Sequence, residues 1–148
     1  MIDRSLLIVT IAGEQAALDS ALIQSVVELE TITPVPRSPT HAAGLAALRS
    51  RAMTVIDCRR SLELTSAQFD TAADILAVVV EIEEYLYALI VDGVEEVVAF
   101  EGTPTAIRAN LLPGWARAAT GVVETAIGPA LLLDPTELVS GPQRRAAA

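Results

Sequence analysis

The stretch over residues 44–64, GLAALRSRAMTVIDCRRSLEL, decides the fold of this chain. It reads as two β-strands joined by a tight turn and followed by a short helical turn. Side chains alternate across a strand, so Leu45, Ala47 and Arg49 share one face of the first strand, and Ala46 and Leu48 the other. Past Ser50 and Arg51, the apolar run at residues 53–56 ends at Asp57. A carboxylate there can accept the free N–H groups of Cys58, Arg59 and Arg60, which predicts a helix start. An arginine at the tip of such a hairpin keeps its charge in water while its stem covers apolar surface. That arrangement suits recognition better than catalysis.

Outward from this hairpin the chain alternates short apolar runs with turn residues, which predicts an all-β protein. Residues 5–12 (SLLIVTIA) form a buried strand, Gly13 and Glu14 a turn, and residues 15–19 a returning strand. Residues 20–26 read as a helical turn and residues 27–33 as a strand. Pro34, Pro36 and Pro39 then impose an irregular edge, and residues 37–41 form a surface loop. Residues 64–73 read as a linker loop. The run at 74–82 (DILAVVVEI) is apolar nearly throughout, so both its faces are covered; it turns at Glu83-Glu84 into a partner at 85–91. Asp92-Gly93 breaks that strand, and residues 94–100 form the next. Residues 108–115 are irregular. Residues 118–126 and 130–134 form a last hairpin, and Asp134 with Pro135 predicts a short helix over 135–139. Residues 140–148 read as a disordered tail. The alanine-rich pieces at 42–47 and 116–119 favour helix on propensity, but Pro, Gly and β-branched residues recur too often for long helices.

With 148 residues, 52% of them hydrophobic, the chain is large enough for one domain or two small packed subdomains. Its formal charge of −9 opposes binding to nucleic acid or to an anionic membrane surface. The longest uninterrupted apolar run, residues 75–80, falls far short of the roughly 18 residues that span a bilayer. The N-terminus does not read as a signal peptide, and the single Cys58 has no partner for an internal disulfide, so a cytoplasmic location is expected.

Two blocks recur in order. LDSALIQSVVEL (residues 18–29) resembles ALIVDGVEEVV (residues 88–98), with Val26 placed over Val94. Gly44 and Asp57 stand 13 residues apart, as do Gly121 and Asp134, and both aspartates end an apolar strand before a helical turn. The implied units of roughly seventy residues are marginal alone, so they should bury apolar surface against each other. Closing each into a barrel would remove edge strands that so aliphatic a sequence cannot safely expose.

The hairpin stretch also resembles the CheW family of bacterial chemotaxis coupling adaptors, whose pattern runs G-hydrophobic-x-x-L-R-G followed by V-I-D-L-R-x-x-L. Gly44, Leu48, Arg49, Val55, Ile56, Asp57, Arg59 and Leu62 stand at matching places, while Ser50 replaces the usual Gly. IVDGVEEVV and LLLDPTELV match two further family blocks, so the likeness runs over residues 6–139. It implies two intertwined SH3-like β-barrel subdomains within one domain over 1–139, about 14–73 and about 74–139, with the N-terminal strand packed between them. It also implies a non-catalytic adaptor that links the cytoplasmic tip of a chemoreceptor to the regulatory domain of a CheA-type histidine kinase. Carried over by position, the partner-binding residues are Arg49, Gly44, Leu48 and Ser50 on the hairpin, Ile23 and Val26 near the receptor groove, and Val94 and Val97 on the second barrel. Ser25 stands where many members carry Glu.

Other chemistry is sparse. His41 is the only histidine, no CxxC or HExxH motif occurs, and no glycine-rich phosphate loop is present, so neither a metal nor a cofactor is indicated. The carboxylates at 81, 83, 84, 92, 95 and 96 read as solvated turns and faces, Cys58 as a small buried apolar residue, and Trp115 as core cover. Two rival roles stay open: a divergent or competing CheW-like scaffold in a non-flagellar signalling array, and, in another class, a small hydrolase or ligand-binding barrel.

Overall fold

The computed structural model describes residues 2–64 and 75–142. All but the first residue of the expected linker at 64–73, and the tail from 143 onward, lie outside the described residues. Strands β1 (Ile2–Ile11), β2 (Glu14–Asp19), β8 (Gly93–Gly102), β9 (Ala119–Thr125) and β10 (Gly128–Leu133) make one sheet in the order β8-β1-β2-β10-β9. Strands β3 (Ile23–Leu29), β4 (Ala42–Leu48), β5 (Arg51–Asp57), β6 (Ile75–Ile82) and β7 (Tyr85–Ile90) make the other, in the order β3-β6-β7-β5-β4. Three short helices, α1 (Cys58–Ser61), α2 (Pro113–Ala118) and α3 (Pro135–Ser140), pack together beside them. The protein is all-β apart from these turns, in two packed barrel-like units.

Strand composition explains the layering. In β6, Ala77 and Val79 enter the core inside their own sheet, while Val78 and Val80 enter the core between the sheets. β1 does the same, with Leu6 and Ile8 inside and Leu7 and Val9 between. Both faces of these strands are therefore dry, which is why they read as unbroken apolar runs rather than alternating ones. Each buried valine, leucine or isoleucine among them contributes about 2 kcal/mol.

The partition of strands corrects the expected division near residue 73. β6 and β7 belong with β3–β5, because Ala77, Val79, Ala88 and Ile90 complete the core begun by Leu29, Met53 and Val55. The N-terminal hairpin β1–β2 completes β8–β10 in the same way, with Leu6, Ile8 and Ala17 against Val123, Ala130 and Leu132. The first unit is thus contiguous in sequence and the second is assembled from both sides of it.

The duplication is present, and its register differs from the expected one. The ladder slips between Ile23 and Ser25 in β3, and at the matching point β8 crosses the slip at Ile8/Val9 of β1. This places Ile23 over Val94 and Val26 over Val97, three residues away from the alignment read in the sequence, where loop residues obscured the strand start. The second block keeps its register. Gly44 lies after a slip in β4–β5 and Gly121 after one in β9–β10. Each sheet is then closed by one bridge from the connection leaving its edge strand: Thr33 to Leu45, and Thr105 to Val122. Asp57 accepts the N–H groups of Arg59 and Arg60, and Asp134 that of Thr136.

Local corrections follow from side-chain chemistry. Only Ser20–Leu22 forms a helical turn, of the 3-10 kind and capped by Asp19; the β-branched Ile23, Val26 and Val27 belong to strand β3. Thr33 lies outside that strand and meets β4 only through its bridge. Trp115 is helical rather than irregular, because Pro113 opens α2 at its first turn. His41 is buried, not part of an exposed loop: its Nε2 lies 2.9 Å from the Val139 carbonyl oxygen, and Gly141 seats against its ring. Residues 140–142 therefore belong to the folded body rather than to a tail.

Candidate functional site

The hairpin β4–β5 carries four of the eight predicted site residues. Its base needs a glycine twice over: Gly44 has φ +149°, and a Cβ there would sit 2.3 Å from the Thr33 carbonyl oxygen. Its tip is the two-residue turn Arg49-Ser50, with φ of +49° and +70°, between the paired Leu48 and Arg51. Two positive φ values are the type I′ pattern, whose twist matches the flanking strands. Arg49 thus lies in the turn itself rather than on the face of the strand shared by Leu45 and Ala47. It is exposed and joins no ion pair among the described residues. Leu48 is half-buried against the core of its own sheet and anchors the tip.

Ser50 in the left-handed region carries the steric cost that the usual glycine avoids. Ser50→Gly should raise stability by about 1 kcal/mol, read as a higher urea midpoint at unchanged slope; an unchanged midpoint would show that the turn relaxes at no cost.

Beside this tip lies a second one. β5 runs parallel to β7, with Thr54 opposite Tyr87, so the turn Glu83-Glu84 stands next to Arg49-Ser50. Both of its residues also have positive φ, +51° and +73°. Arg51 reaches the Glu84 carbonyl at 3.5 Å, a long contact. The end of this unit therefore presents two arginines and two glutamates on adjacent turns.

The other four predicted residues sit on two edge strands. Ile23 and Val94 occupy equivalent positions on β3 and β8 and both pack on the core between the sheets. Val26 and Val97, also equivalent, point outward with 41% and 61% of their surface exposed. The structure brings the inner pair onto one core and leaves the outer pair on separate sheets, Val26 on the sheet that carries the Arg49 hairpin and Val97 on the other.

Two ionic clusters that the sequence reading missed tie the units together. Arg59 of α1 pairs with Asp92 at 2.9 Å, and Asp92 also accepts the N–H of Ala12 at the β1–β2 turn. Arg117 of α2 donates through Nη2 to the carbonyls of Ser61 and Glu137, at 2.9 and 3.1 Å, and reaches the Ser61 hydroxyl at 3.2 Å. Neither cluster joins neighbours in sequence, so the only signal was the basic residues of the helical turns, Arg59 and Arg60 in α1 and Arg117 in α2.

Asp57 is the buried end of the hairpin. Burial raises its carboxyl above the ordinary range, against the opposing pull of the Arg60 and Arg59 N–H groups and the two guanidinium charges. The unfolded chain therefore ionises first, and Asp57's contribution to stability falls as pH rises from the ordinary carboxylate range through the folded value. Asp57→Asn keeps an oxygen for the cap. It should match or exceed the parent in urea unfolding at neutral pH, and that advantage should shrink as pH falls through the folded value of Asp57; parallel profiles would assign that slope elsewhere. Burial likewise pushes the adjacent Cys58 thiol up, leaving it inert.

With this geometry in place, the comparisons are decisive about family. The family model described as "CheW-like domain" matches residues 5–143, so the chain belongs to the CheW family. Its fold is similar to that of the scaffolding protein TtCheW from Thermoanaerobacter tengcongensis, with a TM-score of 0.77 at 21% identity over 90% of each chain. No curated protein matches this sequence. Among the described residues, no helix is long and apolar enough to cross a membrane.

Proposed function

We propose that this protein is a non-catalytic signalling adaptor that couples the cytoplasmic tip of a chemoreceptor to the regulatory domain of a CheA-type histidine kinase. The observation that carries this reading is Arg49: a charged, exposed side chain, outside every ion pair among the described residues, held at a two-residue turn in a CheW-family chain. A guanidinium so placed makes a charge-assisted contact to a partner carboxylate without first breaking an internal pair. The exposed Val26 and Val97 supply apolar contact area on the two units. Inertness of Cys58 and the structural engagement of His41, Asp57 and Asp134 favour binding over chemistry as the work of the molecule.

Calorimetric titration against the isolated regulatory domain of the kinase from the same organism should show micromolar or tighter binding. Arg49→Ala should lower receptor-dependent kinase activation in a reconstituted array by about tenfold, the range of one charge-assisted contact, with an unchanged urea midpoint. Full activation by Arg49→Ala would remove the hairpin from the coupling role.

A further inference from the structure

Among the described residues, a groove reaches the core between the sheets beside α2. Trp115 and Leu131 form the floor of a groove of about 300 Å³, and Leu64, Leu111 and Leu112 its walls. Leu112 has 61% of its surface exposed, whereas Trp115 has 5%. The polar groups at the margin are Glu14 and Asn110, both exposed.

The duplication shows that the fold does not require this apolar surface. Leu132 pairs with Ala17 as Val55 pairs with Ala88, which sets Leu131 over Thr54 and Glu14 over Tyr85. The other unit thus has threonine where this one has leucine. It also has no counterpart of α2, the Pro-rich stretch at 34–39 standing there instead.

We propose that this groove is a second protein-docking site, distinct from the Arg49 hairpin, which takes an amphipathic helix of a basic partner. A helix fits because β2 and β10 are interior strands already paired on both sides, leaving no free backbone edge for an added strand. A leucine- or phenylalanine-sized anchor covers Trp115 and Leu112, and a lysine or arginine beside it meets Glu14. The basic character follows from charge: among the described residues Glu14 is the ionisable group lining the groove, Arg59 is already paired with Asp92, and the chain carries −9 overall. The site does not depend on the coupling role.

Trp115 is the only tryptophan, so its fluorescence reports on this groove alone. The full chain is titrated with a short helix-forming peptide carrying leucines along one face and lysines beside them, and with the same peptide bearing glutamates. The lysine peptide should give a saturable change. Leu112→Asp should weaken it about tenfold, the effect of one lost apolar anchor, and Glu14→Lys should weaken it several-fold. Both substitutions lie on exposed side chains, and unchanged circular dichroism confirms that the variants are folded. No saturable change, equal binding of the glutamate peptide, or undiminished binding by Leu112→Asp overturns the proposal. So does a concentration-dependent signal without peptide accompanied by a dimer in sedimentation, which assigns the groove to a second copy of this chain.

Discussion

Gly114→Ala is expected to leave the chain largely unfolded, a loss of about 4 kcal/mol or more, in the range reserved for core disruption. α2 lies directly on the end of α1, and a Cβ at Gly114 would stand 1.9 Å from the Leu62 carbonyl oxygen, 2.1 Å from its carbon and 2.5 Å from its Cα. These are backbone atoms. Leu62 cannot yield by changing rotamer, because its own N–H is bonded to the Cys58 carbonyl and its side chain is fully buried. Relief requires lifting α2, which would uncover Trp115 and Ala118 in the core between the sheets. Thermal unfolding followed by circular dichroism reads the outcome directly. A cooperative transition near that of the parent would mean that the two helices separate without cost.

Arg117→Met is expected to cost about 2 kcal/mol, the range for hydrogen bonds from a charged, partly buried donor. Methionine preserves most of the stem, so packing is a minor part of the loss. The main part is the carbonyls of Ser61 and Glu137, which lose a donor between α1, α2 and α3. The Glu137 carboxylate adds little, since its Oε2 stands 3.6 Å from Nε, beyond hydrogen-bond reach, and is partly exposed. Glu137→Gln should therefore cost less than 1 kcal/mol, as partly exposed pairs do. Equal losses in the two variants, measured by urea unfolding, would place the energy in the ion pair instead.

The sequence was most legible where physics is local. Asp57 and Asp134 were readable as caps because a carboxylate followed by unbonded N–H groups leaves few alternatives, and the matched Gly–Asp spacing exposed the duplication. Central strands were readable from their unbroken apolar runs. The register of β3 against β8 was not, because the extra residue in each ladder is specified by the neighbouring strand and not by the strand's own letters. His41 was misread for a related reason. Its surroundings are Pro-rich and polar, yet the groups that bury it, Val139 and Gly141, come from the far end of the chain. The groove around Trp115 was hidden in a segment that looked irregular, although Pro113 marks a helix start. At the hairpin, the glycine requirement at position 44 and the turn at Arg49 were visible as pattern, while the side-by-side placement of the Glu83-Glu84 turn follows from a parallel pairing no local motif announces.

The splitting of one sheet around the other also sets an order of assembly. During synthesis the hairpin β1–β2 emerges first, but Ala16 and Ala17 find their partners Leu131 and Leu132 only when the last strand appears. The sheet β3–β7 has all its strands by Ile90 and can close earlier. Until then Leu6 and Ile8 have no inner core of their own, and their hairpin is the part of the nascent chain most in need of shielding. Late closure of long-range pairings is slow. A destabilising change in β9 or β10 should consequently act on yield in the cell more strongly than an equal change in β6 or β7.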